Sequence, residues 1–218
     1  MHPEISCLPS RVFYQGRLQD GPAMDVKTKR PWHSHPKFGM YRFFNVHQGL
    51  EESGVRSSLK NVAECQVAVA LYSRLVQEFR NIDFNYRIGI VSMYRAQIVE
   101  LRRKFQQRFG PQIVDIVDFN TVDGFQGQEK DVIILSCVRS GPGLQSIGFL
   151  SGTLQNDSVH SSGPLPVSTD YRRMNVALTR AKSSLFILGN APTLERSDKT
   201  WKDIITDARS RSLLLNVS

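Results

Sequence analysis

The chain has 218 residues, with 28 Lys and Arg against 20 Asp and Glu and a formal net charge of +8 at pH 7. This length suits one domain, and a hydrophobic content of 40% is enough for a sizeable core. No stretch approaches the roughly 20 apolar residues that cross a bilayer, and the amino terminus lacks a signal-peptide pattern. We therefore expect a soluble, intracellular protein with no membrane partner. The positive charge fits a nucleic-acid partner, and it equally fits a basic protein whose charge is evenly spread.

The cysteines and histidines do not indicate a metal site. The three cysteines are far apart and odd in number, which argues against a disulfide framework and against a zinc knuckle. His33 and His35 have no acidic or thiol companions nearby. We expect no metal ligand among these residues.

The chain divides into an initial segment and one larger domain. Residues 1–40 are rich in Pro and Gly, which predicts an irregular segment without a long regular element. Residues 41–218 alternate apolar runs with stretches of helical periodicity. The predicted strands are Tyr41–Val46, Arg87–Ser92, Ile113–Phe119, Val132–Val138 and Leu185–Leu188. The predicted helices begin after Asn61, at Arg95, at Tyr171 and at Trp201, and they run to about Arg80, Phe109, Lys182 and Ser210.

This alternation predicts an α/β fold, in which helices cover both faces of a parallel sheet. In such sheets, functional loops cluster beyond the carboxyl ends of the strands. We therefore expect function at 92–94, at 120–129 and after Val138. The stretch Ser140–Asp170 is poor in bulky apolar residues and has no periodicity, which predicts disorder.

The sequence lacks the parts that hold a nucleoside triphosphate. A phosphate loop has the pattern G-x-x-x-x-G-K-[ST]. The nearest approach, Gly143–Gly148, is followed by Phe149 and Leu150, which replace the cation and the metal-binding hydroxyl. No adjacent acidic pair follows a strand. We expect that this chain alone does not hydrolyse ATP.

A cationic stripe lies on the predicted helix that begins at Tyr171. At 100° per residue, Arg173, Ala177 and Arg180 share one side, which places the two arginines roughly 10 Å apart beside a small residue. Such a surface can face an anion, and an arginine presented to a γ-phosphate accelerates phosphoryl transfer. From the spacing alone, the interpretation in which these arginines pair with acidic residues of the same fold is favoured.

Two segments carry a family resemblance. The run TVDGFQGQEKDVIILSCVR (121–139) resembles motif V, and RRMNVALTRAK (172–182) resembles motif VI, of superfamily 1 Upf-like helicases of the senataxin type. The segments MHPEIS, FYQGRL and GIVSMYRAQ are also similar to that group. The resemblance covers nearly the whole chain. It implies a RecA-like fold and, specifically, the second, carboxyl-terminal motor domain of an ATP-dependent RNA or DNA helicase.

The resemblance also implies roles at a nucleotide. Arg180 would be the arginine finger that reaches the γ-phosphate across a cleft between domains. Gly127 and Glu129 would border the nucleotide, with the glutamate near the ribose, and Arg173 would contribute to the same site. The cofactor would be ATP with Mg²⁺, held mainly by the first motor domain.

Roles at a nucleic acid follow in the same way. Ser92, Tyr94 and Thr121 would contact the backbone of a single strand of RNA or DNA, in agreement with the use of hydroxyl and amide groups for phosphate contacts. Gln126 would couple the two sites. For Gln126 and Asp123, capping of a turn is an equally good interpretation.

The chain departs from the family pattern at several places, and there the family's properties do not carry over to this chain. The first motor domain, with its phosphate loop and acidic pair, is missing, and we expect it to be a partner; the chain therefore resembles a truncated helicase. Met93 stands where the family usually has proline. Residues 151–169 resemble an insertion, either specific to a lineage or due to an error in the gene model. The family implies a nuclear location, and the alternative function is that of a non-catalytic fragment that binds nucleic acid or docks on a protein.

Overall fold

The computed structural model describes residues 1–54, 58–141 and 167–217. Within them the helices are α1 (Pro3–Phe13), α2 (Met24–Lys27), α3 (Val62–Glu78), α4 (Arg95–Phe109), α5 (Ile113–Ile116), α6 (Val167–Leu178), α7 (Ala191–Ser197) and α8 (Lys199–Ser210). The strands are β1 (Tyr41–Val46), β2 (Glu52–Ser53), β3 (Leu59–Lys60), β4 (Ile88–Ser92), β5 (Asp118–Thr121), β6 (Lys130–Ser136), β7 (Ala181–Gly189) and β8 (Leu214–Val217).

Six of the strands form one sheet in the order β5-β4-β6-β7-β1-β8, and every pairing in it is parallel. The strands β2 and β3 form a separate antiparallel pair. Parallel neighbours need long crossovers, and helices supply them here. The predicted α/β class is confirmed.

The core lies on both faces of this sheet, as alternation along the strands requires. In β6, Ile133 and Leu135 pack with α1, α6, α7 and α8. Their neighbours Val132 and Ile134 pack with α3 and α4 on the other face. Because both faces are covered, the central strands read as continuous apolar runs rather than as alternating ones. The prediction of helices on both faces is confirmed.

The prediction that residues 1–40 lack a long regular element is wrong for the first part of that segment. Helix α1 spans eleven residues. Pro3 occupies its first turn, where no amide hydrogen is needed, and Ile5 and Leu8 are buried in the core. A salt bridge from Arg11 to Asp207 ties α1 to α8. Tertiary burial thus outweighs the internal Pro9 that the sequence reading took as a breaker.

Other boundaries also differ from the prediction. The predicted strand Ile113–Phe119 divides into helix α5 and strand β5. The predicted helix Tyr171–Lys182 ends at Leu178, and strand β7 already begins at Ala181. Strand β8 and helix α7 were missed because both are short, with four and seven residues.

The predicted insertion, residues 151–169, falls mostly outside the described part of the chain. Residues 142–166 are not described. Residues 167–169 belong to the start of α6, and the insertion at 151–169 stays a prediction. The division of the chain at residue 41 stays a prediction.

Candidate nucleotide and nucleic-acid site

The two family motifs meet where residues 122–129 cross one face of the sheet. Strand β5 ends at Thr121, which pairs in register with Ser92 at the carboxyl edge. Strand β6 then begins at Lys130, which pairs with Ala181 at the amino edge. Ser136, the partner of Ser92, lies six positions after Lys130 along β6. At about 3.3 Å per residue, the two edges lie about 20 Å apart. The crossing segment therefore connects opposite edges of the sheet.

A close contact fixes the crossing segment against the sheet. Phe125 is fully buried in the core of this face. A Cβ atom added to Gly89 would lie 2.6 Å from the Phe125 ring and 2.8 Å from the side chain of Ile133. Only glycine at position 89 lets the ring pack this close. The position of the exposed residues on either side of Phe125 is thus set by the core.

Arg180 lies at the amino edge, in the turn between α6 and β7. Its backbone carbonyl accepts from the amide of Lys130 at 3.1 Å. Because α6 ends at Leu178, Arg180 is not part of the helical stripe that the sequence predicts. Ala177 is fully buried in the core and does not lie beside a ligand surface. The predicted stripe is therefore wrong, although the position of Arg180 is well defined.

The guanidinium of Arg180 makes contacts only to neutral oxygens in the described residues. Its Nε donates to the Val176 carbonyl at 3.0 Å, its Nη2 to the Thr179 hydroxyl at 3.0 Å and its Nη1 to the Gln128 carbonyl at 3.3 Å. Three of its five N–H donors are used, so two remain. Among the described residues, no carboxylate neutralises this charge. The side chain is half-buried.

Arg173 behaves differently. Its Nε donates to one oxygen of Asp123 at 3.0 Å, and its Nη2 lies 2.8 Å from the other. The Arg173 side chain is 13% exposed and that of Asp123 is 56% exposed. A bidentate pair of this kind is directional and holds α6 to the crossing segment. Of the two interpretations of the arginines, pairing within the fold describes Arg173 and presentation to an anion remains open for Arg180.

The remaining residues predicted at the nucleotide are exposed. Gly127, Glu129 and Gln126 all lie at the surface of the crossing segment. Gly127 has φ +80°, a backbone conformation that glycine adopts without strain, and no atom lies within 4 Å of where its Cβ would be. The open space beside Gly127 fits a ligand that approaches the backbone. Neither the predicted role of Glu129 nor the predicted coupling role of Gln126 is decided by these positions.

At the carboxyl edge, Thr121 is the predicted nucleic-acid residue whose side chain is partly exposed. Its hydroxyl accepts from the amide of Gly124 at 3.4 Å. The side chain of Asn120 donates to the Gly124 carbonyl at 3.0 Å, which closes the turn. The turn is held mainly by Asn120, so the Thr121 hydroxyl is available for a further contact.

Ser92 and Tyr94 are buried instead. The Ser92 hydroxyl donates to the Ser136 carbonyl at 2.8 Å and is fully buried. The Tyr94 side chain is 1% exposed and forms a hydrogen bond with Arg139. Burial raises the pKa of the Tyr94 hydroxyl to about 12, so it stays protonated. The prediction that these two side chains touch nucleic acid does not fit this conformation, because polar groups at the ends of buried strands bond to their neighbours.

A buried carboxyl group lies beneath this edge. Glu64, in the first turn of α3, is fully buried, and burial raises the pKa of its side chain to about 7. Ser136 donates to Glu64 at 2.6 Å, and the amide of Val138 donates to both carboxylate oxygens at 2.9 and 3.0 Å. From the sequence, Glu64 is recognisable only as part of a helix start after Asn61. That capping is confirmed, since Asn61 accepts from the Glu64 amide at 3.2 Å.

No helix among the described residues is long and apolar enough to span a bilayer. Within the same residues, no group of three His, Cys, Asp and Glu side chains is placed to hold a metal ion. His33 instead contacts the Ser184 hydroxyl at 3.1 Å, and His35 lies 2.8 Å from Glu78.

The fold and the placement of the motifs define a class of protein. A six-stranded parallel sheet covered on both faces, with motif V crossing one face and motif VI ending at the amino edge, is a RecA-like helicase domain. The family model described as an AAA domain matches residues 1–192. The chain belongs to this family, as a senataxin-like domain of the Upf-like helicases.

Three relatives show how far the similarity extends. The chain is 46% identical over 216 residues to "Helicase SEN1" of Saccharomyces cerevisiae, with 98% of this chain and 9% of the relative covered. It is 43% identical to "Helicase sen1" of Schizosaccharomyces pombe, with 98% and 11% covered. It is 40% identical to "Probable helicase MAGATAMA 3" of Arabidopsis thaliana, with 100% and 24% covered. The chain thus spans a tenth to a quarter of the length of these relatives, and the resemblance to the family is confirmed.

Proposed function

We propose that this chain is the second motor domain of an ATP-dependent RNA or DNA helicase. In this proposal it presents Arg180 to a nucleotide that a first motor domain holds, and it contacts a single strand at the opposite edge of its sheet. ATP with Mg²⁺ supplies the γ-phosphoryl group whose transfer to water drives the motor. The residues of this chain bind and position, and they do not carry a phosphate loop.

The charge of Arg180 is the observation that carries this proposal. Within the described residues its guanidinium bonds to the Val176, Thr179 and Gln128 oxygens, none of which is charged, and two N–H groups remain. The neighbouring crossing segment presents Gly127 with open space around it. An unneutralised guanidinium beside an accessible backbone suits the γ-phosphate of a nucleotide held by a second domain.

The contact with nucleic acid rests on the carboxyl edge. The exposed part of this edge includes the Thr121 hydroxyl, and Asp123 and Gly124 in the turn that follows are exposed. Hydroxyl and amide groups bind phosphate oxygens without reading base sequence. The edge is therefore suited to a single strand of either RNA or DNA.

The experiment measures ATP turnover by a polypeptide that joins this chain to a first motor domain of a senataxin-type helicase. We expect turnover that single-stranded nucleic acid stimulates and that Arg180→Ala lowers about 10³-fold. Arg172→Ala is the matched control, because Arg172 is exposed and lies on the same motif. Turnover by Arg180→Ala equal to that of the control would show that Arg180 is not the finger.

A second experiment separates the helicase domain from the alternative of a protein-docking fragment. Binding of a fluorescein-labelled single strand to this chain is measured by anisotropy at several salt concentrations. We expect the affinity to fall steeply with salt, since phosphate contacts release counterions. Binding that is absent, or that salt does not change, would contradict the nucleic-acid part of the proposal.

A nuclear location is part of the same proposal and is supported by family resemblance alone. Fluorescence microscopy of the tagged protein in its host cell tests it. Exclusion from the nucleus would contradict it.

A further inference from the structure

The chain turns sharply after β6, and the turn centres on Val138. The amide of Arg139 donates to the carbonyl of Cys137 at 2.8 Å, and Val138 has φ +72°. These features describe a three-residue γ-turn of the rare, strained type. A β-branched residue at positive φ adds to the strain. Strained backbone of this kind persists only where the surroundings hold it in place, and it concentrates at functional sites.

Two buried side chains of α3 hold this turn. The Val138 amide donates to both carboxylate oxygens of Glu64, and the Val138 carbonyl accepts from the side-chain amide of Asn61 at 3.1 Å. Asn61 and Glu64 are both 0% exposed. Both backbone polar groups of one strained residue are therefore bound by side chains from a single helical turn. We call Asn61, Glu64 and Val138 the clamp.

The clamp extends to the carboxyl edge through further hydrogen bonds. Ser136 donates to Glu64, and its carbonyl accepts from the Ser92 hydroxyl. The side chain of Gln97, at the start of α4, donates to the Ser136 hydroxyl at 2.8 Å. It also accepts from the backbone amide of Asn61 at 2.7 Å. These bonds connect β4, β6, α3 and α4. Ser92 is the direct neighbour of Thr121, so the clamp lies beneath the surface where we place the strand.

The residue that follows the clamp also has a fixed position. Arg139 donates to Glu51 at 2.9 Å, its side chain is 8% exposed, and it forms a hydrogen bond with Tyr94. The amide of Ser140 donates to the same oxygen of Glu51 at 3.0 Å. The direction of the backbone beyond β6 is thus set by the turn at Val138 and maintained by these contacts.

The cost of the clamp argues that it does more than fill the core. A buried carboxyl group is expensive unless it is paired, and no cation pairs with Glu64 among the described residues. An apolar residue at this position would avoid that cost but would remove the acceptor for the Val138 amide. The hydrogen bonds to the Glu64 carboxyl group all come from the end of β6 and the residues after it.

We propose that Asn61 and Glu64 are positioning residues for the nucleic-acid contact. By holding the γ-turn at Val138, they fix the backbone of the carboxyl edge in the form that binds a phosphate chain. This inference rests on the proposed function. It assigns Ser92 and Tyr94 a supporting role beneath the binding surface instead of direct contact with the strand.

The test uses the 218-residue chain and two probes, a fluorescein-labelled oligouridylate and an oligodeoxythymidylate. Glu64→Gln keeps the size of the side chain but replaces one of the two carboxylate oxygens that accept from the Val138 amide with an amide donor. We expect a five- to tenfold loss of affinity, together with faster hydrogen exchange at the amides of Val138 and Arg139. Asn61→Ser retains a helix-capping oxygen but cannot reach the Val138 carbonyl, so we expect a smaller loss of about threefold.

Two control variants separate position from stability. Glu100→Gln changes a second, largely buried glutamate that pairs with Arg103 outside the clamp. Ala68→Gly lowers the stability of α3 through its backbone, without touching the clamp. We expect both controls to bind within twofold of the parent chain, although Ala68→Gly lowers the melting temperature.

The outcomes distinguish this inference from the proposed function. A parent chain that binds neither probe contradicts the proposed function. A parent chain that binds, with Glu64→Gln and Asn61→Ser binding equally well, overturns the positioning role and leaves the proposed function intact. Loss of affinity in Ala68→Gly as large as in Asn61→Ser also overturns it, because stability alone would then explain the effect.

Discussion

The two edges of the sheet satisfy their polar groups in opposite ways. At the amino edge, Arg180 donates hydrogen bonds to neutral oxygens and has two N–H groups that make no bond within the described residues. Glu129 is exposed there. At the carboxyl edge, Ser92 and Glu64 are fully buried and their hydrogen bonds stay within the fold. The first edge presents a guanidinium charge that no carboxylate of the described residues neutralises. At the second edge, a buried hydrogen-bond network lies beneath an exposed layer of few residues.

This difference predicts how each edge responds to substitution. A change at the amino edge should alter chemistry with little effect on stability, because the side chains there contribute few buried contacts. A change beneath the carboxyl edge should alter stability and binding together. The ion pair between Asp123 and Arg173 lies between the two edges and should show a small effect of both kinds.

After Arg180→Ala, the largest expected effect is that of Arg180→Lys on ATP turnover by the polypeptide joined to a first motor domain. Lysine keeps the charge but loses the planar fork, so it cannot hold the Val176, Thr179 and Gln128 oxygens and also reach a phosphate. We expect a loss of about 10²-fold or more, mainly in kcat. Steady-state kinetics measure it, with Arg172→Lys as the control. Full activity of Arg180→Lys would mean that charge alone is needed at this edge.

The next effect concerns stability and pH at the carboxyl edge. Burial raises the pKa of Glu64 from an ordinary value of 4.5 to about 7 in the folded chain. Between these pH values the folded chain therefore binds more protons than the unfolded chain. The contribution of Glu64 to stability is complete below its ordinary pKa and is lost as pH rises through about 7. The facing thiols of Cys65 and Cys137 have raised pKa values, chiefly through burial, and stay neutral there.

Urea unfolding at a series of pH values measures this effect. Relative to Glu64→Gln, we expect the free energy of unfolding of the parent chain to fall by up to about 3 kcal/mol as pH rises from 4.5 to 8. Glu100 provides the contrast, since its hydrogen bond with Arg103 lowers its pKa. Its stabilising contribution is lost as pH falls, so the difference between the parent chain and Glu100→Gln should have the opposite sign. Parallel pH profiles for the parent chain and Glu64→Gln would contradict a raised pKa.

The strands of the sheet and the helices that cover it were predictable because each has its own pattern of apolar residues in the sequence. Strand Tyr41–Val46 and helix Arg95–Phe109 have the predicted bounds. Helix α1 was not predicted, since Pro9 reads as a breaker when the burial of Ile5 and Leu8 is unknown. Periodicity describes local structure and cannot report what a short segment packs against.

The sequence proposes residues for the candidate site, and the structure supplies their arrangement. The resemblance singled out Arg180 and Thr121, but the rule that function follows strand ends pointed only to the carboxyl edge. Residues 122–129 cross the sheet, so Arg180 lies at the amino edge. Glu64 appeared only as a helix start, because nothing in the sequence around it indicates contact with Val138, 74 residues away. Contacts between distant segments are the part that a single sequence does not reveal.

A smaller effect is expected for the ion pair that joins the crossing segment to α6. In a double-mutant cycle with Asp123→Ala and Arg173→Ala, we expect a coupling energy of about 1 kcal/mol, since the Asp123 side chain is 56% exposed and solvent screens the pair. Urea unfolding of the four chains measures it. Arg172→Ala in place of Arg173→Ala should give no coupling with Asp123→Ala. A coupling near zero for the pair itself would show that this ion pair does not help to hold the crossing segment.

The smallest effect is that of Thr121→Ala on binding of a single strand. If the exposed layer of the carboxyl edge makes many weak phosphate contacts, the loss of one hydroxyl should lower the affinity only about threefold. Thr121→Ser keeps the hydroxyl and should bind like the parent chain. Fluorescence anisotropy with labelled RNA and DNA strands measures both variants. If Thr121→Ala and Thr121→Ser bind equally well, the hydroxyl makes no contact, and the strand must be held by backbone groups that the clamp positions.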